Sequence, residues 1–324
     1  MKITEIYGPL EIHLEEFNLY FKSLMKTDVP LLNLIIRYIT KKKGKQIRPA
    51  LVIISADLCG KVSQRTYIGA AMIELLHTAT LIHDDVVDES SERRGLATIN
   101  SSWNNKIAVL VGDYLLGKGL LSAIDNDEFE FLRATSDAVR RMSEGEIFQI
   151  QKSKEFDIDE ASYFRIISDK TASLISTCTK IGAISATNDR KIQDKLKSFG
   201  EKLGMAFQIR DDIFDYISKS TTIGKPIGND IKERKITLPL IYSLRNSNDR
   251  ESKEIIKTLK KNKILKKDIA IIVDFVKRKG GIDYAMKVAD DYIKEAINEL
   301  DEFPKTEPKL ALVKIAEYAI NRNN

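Results

Sequence analysis

His77-Thr-Ala-Thr-Leu-Ile-His-Asp84-Asp85-Val-Val-Asp88-Glu-Ser-Ser-Glu-Arg93-Arg94-Gly95 closes an apolar helical run that begins near Ile68. The run ends in three carboxylates, and two arginines follow closely. At 3.6 residues per turn, Asp84 and Asp88 fall one turn apart on the same face, roughly 6 Å along the axis. Carboxylates near a helix C-terminus lie at the negative end of its dipole, which is unfavourable by on the order of several tenths of a kcal/mol each. A cation is expected to offset that repulsion. Hard oxygen ligands on a single face suit Mg²⁺ holding a substrate phosphate.

The pattern occurs twice. Gln208-Ile-Arg-Asp211-Asp212-Ile-Phe-Asp215 repeats Asp-Asp-x-x-Asp after an apolar helical segment containing Phe199, Leu203, Met205, Ala206 and Phe207. With 25 aspartates in 324 residues, chance supplies roughly 0.15 copies of the box, so a pair is well beyond accident. Asp290-Asp291 shows the background: Lys294 stands where a third aspartate would, on what reads as a solvated helix face. One box alone fits a charged surface turn as well as a metal site. Two boxes point to metal, with Asp84, Asp85, Asp88, Asp211, Asp212 and Asp215 as the candidate ligands.

The 324 residues allow a large core, and 43% apolar with 31% charged is an ordinary soluble balance. Seven prolines and sixteen glycines are too few and too scattered to mark a linker, so one domain over residues 1–324 is expected. A net charge of +5, against 52 basic and 47 acidic residues, gives weak support for an anionic small ligand and little for nucleic acid. Cys59 and Cys178 lie in apolar helical surroundings and read as reduced core residues, which suits a cytoplasmic enzyme. The N-terminus shows no export pattern, and no apolar run of 18 residues is found, so neither export nor membrane insertion is expected.

Ile3, Tyr7, Leu10, Leu14, Phe17, Phe21 and Leu24 follow three-four spacing, predicting an amphipathic helix with Pro9 in its first turn. Leu31 to Ile39 predicts a second helix, stopped at Gly44, and Pro49 starts a third. Between them, Lys41, Lys42 and Lys43 read as a solvated basic turn. Lys45 and Arg48, two cations at a helix N-terminus, fit a diphosphate site or the same solvated turn. Trp103 to Ile124 reads as a buried helix in which Gly112, Gly117 and Gly119 permit close packing. Phe131 to Gln151 is amphipathic, and Glu144 and Glu146 near its end fit a solvated face. Asp169-Lys170-Thr171 opens a helix through Ile184, with Lys170 either an exposed first-turn residue or an anion contact. The stretch from Ser218 to Leu238 has loop composition, and its glycine, proline and lysine fit a mobile lid or a plain surface loop. Glu254 to Ala319 predicts amphipathic helices broken by Gly280-Gly281, Pro304 and Pro308. Ile269 to Val273 fits strand or helix, and nothing else supports a sheet.

Together these residues resemble the trans-isoprenyl diphosphate synthase, or polyprenyl synthetase, family. The resemblance rests on Gly44-Lys45-Gln46-Ile47-Arg48-Pro49, the two boxes, Arg93-Arg94-Gly95, Lys170-Thr171, Gln208 and Gly224-Lys225-Pro226-Ile227-Gly228-Asn229-Asp230. It implies an all-α isoprenoid synthase fold, helices around a central cavity with the two boxes facing across it, usually in a homodimer. It implies Mg²⁺, about three ions with substrate bound, held by Asp84 and Asp88 with Asp211 opposite. Arg93, Lys170, Thr171, Gln208, Lys225 and Lys235 would contact an allylic diphosphate, with Lys170 and Lys225 counted in the catalytic set beside Asp84, Asp88 and Asp211. Lys45, Arg48, His77 and Arg94 would hold isopentenyl diphosphate. His13 and His83 receive no such role and read as surface or packing residues.

Cleavage of an allylic diphosphate leaves an allylic cation and builds negative charge on pyrophosphate, which explains the need for metal and fixed cations. No nucleophilic Ser, Cys or His is required, and no such constellation appears. In this family a bulky aromatic near Ala79 and Thr80 stops the growing chain early. Two small residues there imply an open tunnel and a product of about seven to nine isoprene units, as in octaprenyl-type synthases. Phe129, Phe131 or Leu132 would form a deeper floor. An apolar product implies transient contact with a membrane surface. A short-chain synthase, a class I terpene cyclase and a non-catalytic partner subunit are the alternatives; the last two are disfavoured by the intact second box.

Overall fold

The computed structural model describes residues 10–41, 44–93, 95–155, 159–217, 228–261 and 263–321. The described chain is helical almost throughout, as the periodicity predicts. Ile3, Tyr7, Pro9, Lys42 and Lys43 lie outside the described residues. Contacts sort the rest into two compact units.

The first unit gathers the described residues up to Asp137 together with Leu174–Gly200 and Glu299–Ile315. It contains α1 (Glu11–Leu24), α2 (Pro30–Lys41), α3 (Ile47–Cys59), α4 (Gln64–Val87), α5 (Ile99–Ser102) and α6 (Asn105–Ile124). The start of α7 (Phe129–Glu155), most of α9 (Ser173–Ala186) and the start of α10 (Arg190–Ile217) also belong to it. α4 is the spine of this unit. Its 24 residues span about 36 Å, and from Tyr67 to Ile73 the helix is buried on every side, as an all-apolar surface requires. Leu75, Ala79 and Ile82 then pack with Ala108, Val111 and Leu115 of α6. A Cβ on Gly69 would lie 2.4 Å from Ile181 of α9 and 3.4 Å from Phe131 of α7, so only glycine fits where those side chains meet α4.

Two features differ from expectation. α6 buries only one face: Val109, Leu110, Leu120, Leu121 and Ile124 are exposed, because three-four spacing cannot reveal that apolar residues surround a helix with neighbours on one side only. By length and composition α6 is also apolar enough to cross a bilayer, with mean hydropathy 1.6 over 18 residues, a property obscured by interrupting Asp113 and Lys118. A small antiparallel hairpin, β1 (Glu92–Arg93) and β2 (Leu96–Ala97), follows α4 and turns at Gly95 with φ +75°.

The second unit gathers Ala138–Ser173, Glu201–Asn298 and the residues after Ala316. It holds the end of α7, α8 (Glu160–Ile167), a π turn (Ser168–Ala172) and the end of α10. α11 (Asn229–Lys232), α12 (Leu238–Arg245), α13 (Asp249–Leu259), α14 (Lys266–Arg278), α15 (Gly281–Asn298) and the end of α16 (Glu307–Asn321) complete it. Its core forms where Ile209, Ile213 and Tyr216 of α10 meet Tyr163, Leu238, Ile241, Ile272, Phe275 and Ala285. Ile269 to Val273 is helix, within α14. Pro308 is in the first turn of α16, where its missing N–H costs nothing, and does not break a helix. Both cysteines are free thiols, pushed up to about 12 by burial.

Candidate active site

In the first unit, α4 carries its apolar run out to an exposed end. Asp84 is exposed on the last full turn, and Asp88 is the exposed residue that ends the helix, its N–H bonded to the Asp84 carbonyl at 2.8 Å. The two carboxylates thus stand one turn apart, as predicted. Asp85 turns inward. It is 6% exposed, and the Arg93 Nε donates to its Oδ1 at 2.8 Å. Burial raises the Asp85 pKa, which Arg93 opposes and Asp88 reinforces. Arg93, expected on a diphosphate, is set by the hairpin beside the first box. Arg94 lies outside the described residues.

Lys45 is exposed just before α3, and Arg48 is half-buried in its first turn. Between them Gln46 adopts left-handed backbone, φ 50° and ψ 32°, a conformation that costs a β-carbon residue on the order of 1 kcal/mol. Its side-chain Nε2 donates to Asn18 Oδ1 of α1 at 2.8 Å, which anchors the turn between the two cations. His77 is half-buried two turns before Asp84. Ala79 is fully buried against α6, and half-buried Thr80 returns its hydroxyl to the His77 carbonyl at 2.9 Å. Of the three proposed floor residues, Phe131 is fully buried against Gly69, Leu132 is half-buried and Phe129 is 60% exposed. His83 sits over Gly112 and bonds the Val109 carbonyl at 3.2 Å, a packing role, while His13 bonds the Tyr67 hydroxyl.

In the second unit, the second box repeats the arrangement at its first two positions. Asp211 is exposed, while Asp212 falls on the core stripe of α10 with Ile209 and Tyr216. The Tyr163 hydroxyl donates to Asp212 Oδ2 at 2.7 Å and Gln208 Nε2 to Oδ1 at 2.8 Å. Burial, with the charge of Asp230, pushes the Asp212 carboxyl up to about 8 against those two hydrogen bonds. Asp215 accepts from the backbone N–H of Asn229 at 2.9 Å and of Asp230 at 3.1 Å, which fastens the start of α11 to the end of α10. Burial and the charge of Asp215 raise Asp230 to about 6, with Lys235 opposing. Thr171 donates its hydroxyl to Gln208 Oε1 at 2.7 Å, so Thr171, Gln208, Asp212 and Tyr163 form one chain of hydrogen bonds. Lys170 reaches Gln149 Oε1 at 2.9 Å and pairs with Glu146, so Glu146 does more than solvate a helix face. Lys235 bonds Glu233 at 2.6 Å. Lys225 and the predicted lid through 227 lie outside the described residues.

Sequence reasoning missed Tyr163, Asn18, Gln149 and the support given by Gln46. Tyr163 is 49 residues from Asp212 and Asn18 is 28 from Gln46, separations at which no local pattern pairs side chains. Glu146 and Gln149 share an i, i+3 spacing that marks one face of α7 and was the available signal.

The donor set fits magnesium better than a metal that needs a closed protein cage. Among the described residues no three His, Cys, Asp or Glu side chains gather tightly enough to hold an ion. Mg²⁺ typically takes one or two carboxylates and completes its shell with water and phosphate oxygens. Exposed Asp84, Asp88 and Asp211 are donors of that kind.

A profile of the polyprenyl synthetase family matches residues 29–276. An octaprenyl diphosphate synthase of Haemophilus influenzae is 32% identical, spanning 100% of this chain and 98% of its own length. A geranylgeranyl diphosphate synthase of Sulfolobus acidocaldarius is 35% identical over 93% of this chain and 94% of its own. The crystal structure of a polyprenyl synthase from Caulobacter crescentus, complexed with calcium and isoprenyl diphosphate, shares the fold with a TM-score of 0.90. It is 30% identical over 100% of this chain and 98% of that one. The match over residues 29–276 takes in both acidic boxes and the basic residues around them, so the chain belongs to the polyprenyl synthetase family and is a prenyltransferase that makes trans-prenyl diphosphates.

Proposed function

We propose that the enzyme extends an allylic diphosphate by head-to-tail addition of isopentenyl diphosphate, repeatedly, to a long product of about seven to nine isoprene units. Asp84, Asp88 and Asp211 would hold Mg²⁺, and Asp85 and Asp212 support them from beneath. When bound, the metal offsets charge that builds on pyrophosphate as the allylic carbon–oxygen bond breaks. Arg93, Lys170, Thr171, Gln208, Lys225 and Lys235 orient the allylic diphosphate and bear part of that charge. Lys45, Arg48, His77 and Arg94 hold isopentenyl diphosphate, whose double bond supplies the electron pair for the new carbon–carbon bond. A proton then leaves the condensed carbon skeleton for the departing pyrophosphate, which balances the step.

The observation that carries the reading is the repeated box: each exposes its first aspartate and turns its middle aspartate inward onto a fixed partner. The long product is supported by Ala79 and Thr80, which place no bulk beside the first box. We place the enzyme in the cytoplasm as a homodimer, burying the exposed apolar face of α6, with brief contact at a membrane surface when the product leaves. Incubation with Mg²⁺, isopentenyl diphosphate and an allylic primer tests the activity. Pyrophosphate release should require all three, and chromatography of the dephosphorylated product gives its length. Product from primer alone would instead identify a cyclase.

A further inference from the structure

The segment that carries Lys170 and Thr171 is not α-helical. Ser168–Ala172 forms a π turn between α8 and α9, a rare arrangement found frequently at functional sites. Two glycines make room for it. A Cβ on Gly204 would lie 2.5 Å from Ala172 Cα, and one on Gly145 would lie 2.9 Å from Asp169 Cβ. The second half of the turn is held through its side chains, Lys170 on Gln149 and Glu146, and Thr171 on Gln208.

The first half is held by one guanidinium. Arg141 of α7 donates from Nε to Asp169 Oδ1 at 2.8 Å. From Nη2 it reaches Ser168 Oγ at 2.8 Å and Glu201 Oε1 of α10 at 2.7 Å. The Ser168 hydroxyl also donates to Glu201 Oε1, at 2.7 Å. Arg165 stands 3.9 Å from Asp169 on the far side. Burial works against the Arg141 charge, and Glu201 and Asp169 more than offset it. A single exposed pair would hold little, but a planar fork on three acceptors at once fixes orientation as well as charge. Without it, Asp169 and Glu201 would face each other across the start of the turn.

We infer that Arg141 is a positioning residue for the allylic diphosphate: it sets the register at which the π turn presents Lys170 and Thr171. This rests on the assignment of those two residues proposed above. The bland alternative is a staple that holds α7, α8 and α10 together and leaves the site unaffected.

Steady-state kinetics with each substrate varied in turn, together with melting temperatures, separate the two. Arg141→Met should lower kcat/KM for the allylic substrate by about 30- to 100-fold, the scale of a 1 Å misplacement, and move the isopentenyl KM by less than about twofold. Arg141→Lys keeps the charge but reaches one acceptor at a time, and should recover only part of the loss. Arg141→Met combined with Lys170→Ala should be no more than about threefold worse than Lys170→Ala alone, because most of the Arg141 effect acts through the Lys170 ammonium group and only the share of Thr171 is left to lose. Multiplying losses in the double variant, equal losses for both substrates, or a lowered melting temperature with normal kinetics would overturn the inference. Should Arg141→Met not fold, Ser168→Ala removes one arm only, and an allylic-specific loss of about 3- to 10-fold is expected; none would overturn the inference equally. A Lys170→Ala enzyme with unchanged allylic kinetics would remove the site assignment itself, a separate failure that takes the inference with it.

Discussion

Asp211 is exposed, while Asp215, one turn later, gives both carboxylate oxygens to the backbone N–H groups of Asn229 and Asp230. The two residues look equivalent in the box but predict opposite phenotypes. Asp211→Asn keeps the shape and removes the charge proposed above to hold Mg²⁺. It should cut kcat by about 10²- to 10³-fold, with the melting temperature moved by less than about 1 °C. Asp215→Ala leaves two backbone donors at the start of α11 without acceptors, at a cost of about 1–3 kcal/mol. For a chain of this length that is a fall of about 2–4 °C in a thermal melt. If Asp211→Asn destabilises as much as Asp215→Ala, the division of the box into ligand and fastening is wrong. The same logic explains why Asp85 and Asp212 were legible as acidic but not as inward. Burial depends on where Arg93 and Tyr163 arrive in space, and the box itself does not encode that.

Under the proposed function, α4 would be a ruler as well as a spine. From Asp84 down to Gly69 it descends about 22 Å, passing Ala79 and Thr80 near the top and meeting Phe131 at the bottom. Thr80 is half-buried and Ala79 wholly enclosed by α6. Thr80→Phe should therefore shorten the product with little loss of stability. Ala79→Phe should shorten it too, but at about 1–3 kcal/mol from overfilling the contact with α6. Phe131→Ala, at the lower end, should lengthen the product and cost about 3–5 kcal/mol for the cavity. An unchanged distribution of dephosphorylated products in all three would exclude α4 as the wall of the tunnel. At this scale the sequence was a good guide wherever period and punctuation agree: α2, α3, α4 and α10 lie where apolar spacing and turn residues place them. The π turn was illegible, since its cause is Gly145, Gly204 and Arg141 on other helices. The exposed face of α6 was illegible as well, because its composition is that of a core helix.

At the scale of the whole molecule, the residue types of the site were readable and their supports were not. Repetition of Asp-Asp-x-x-Asp is a local signal, whereas Asn18 under Gln46, and Tyr163 under Asp212, are pairings that exist only once the chain has folded. One question belongs to neither box alone: whether they serve a single ligand. Linkage gives a direct measure, because a ligand that binds only the folded protein stabilises it by about 2.7 kcal/mol at a hundred times its Kd. Over 324 residues this raises the melting temperature by about 4 °C. An unreactive allylic diphosphate analogue with Mg²⁺ should produce that shift, and the analogue with a chelator in place of the metal should produce less than about 1 °C. If both boxes grip one metal-bound diphosphate, Asp84→Ala and Asp211→Ala should each abolish most of the shift, and the double variant should lose little more than either. If the boxes bind separately, each single variant keeps a substantial part and the losses add. Additive losses would dismantle the proposed active site while leaving the fold and the family untouched.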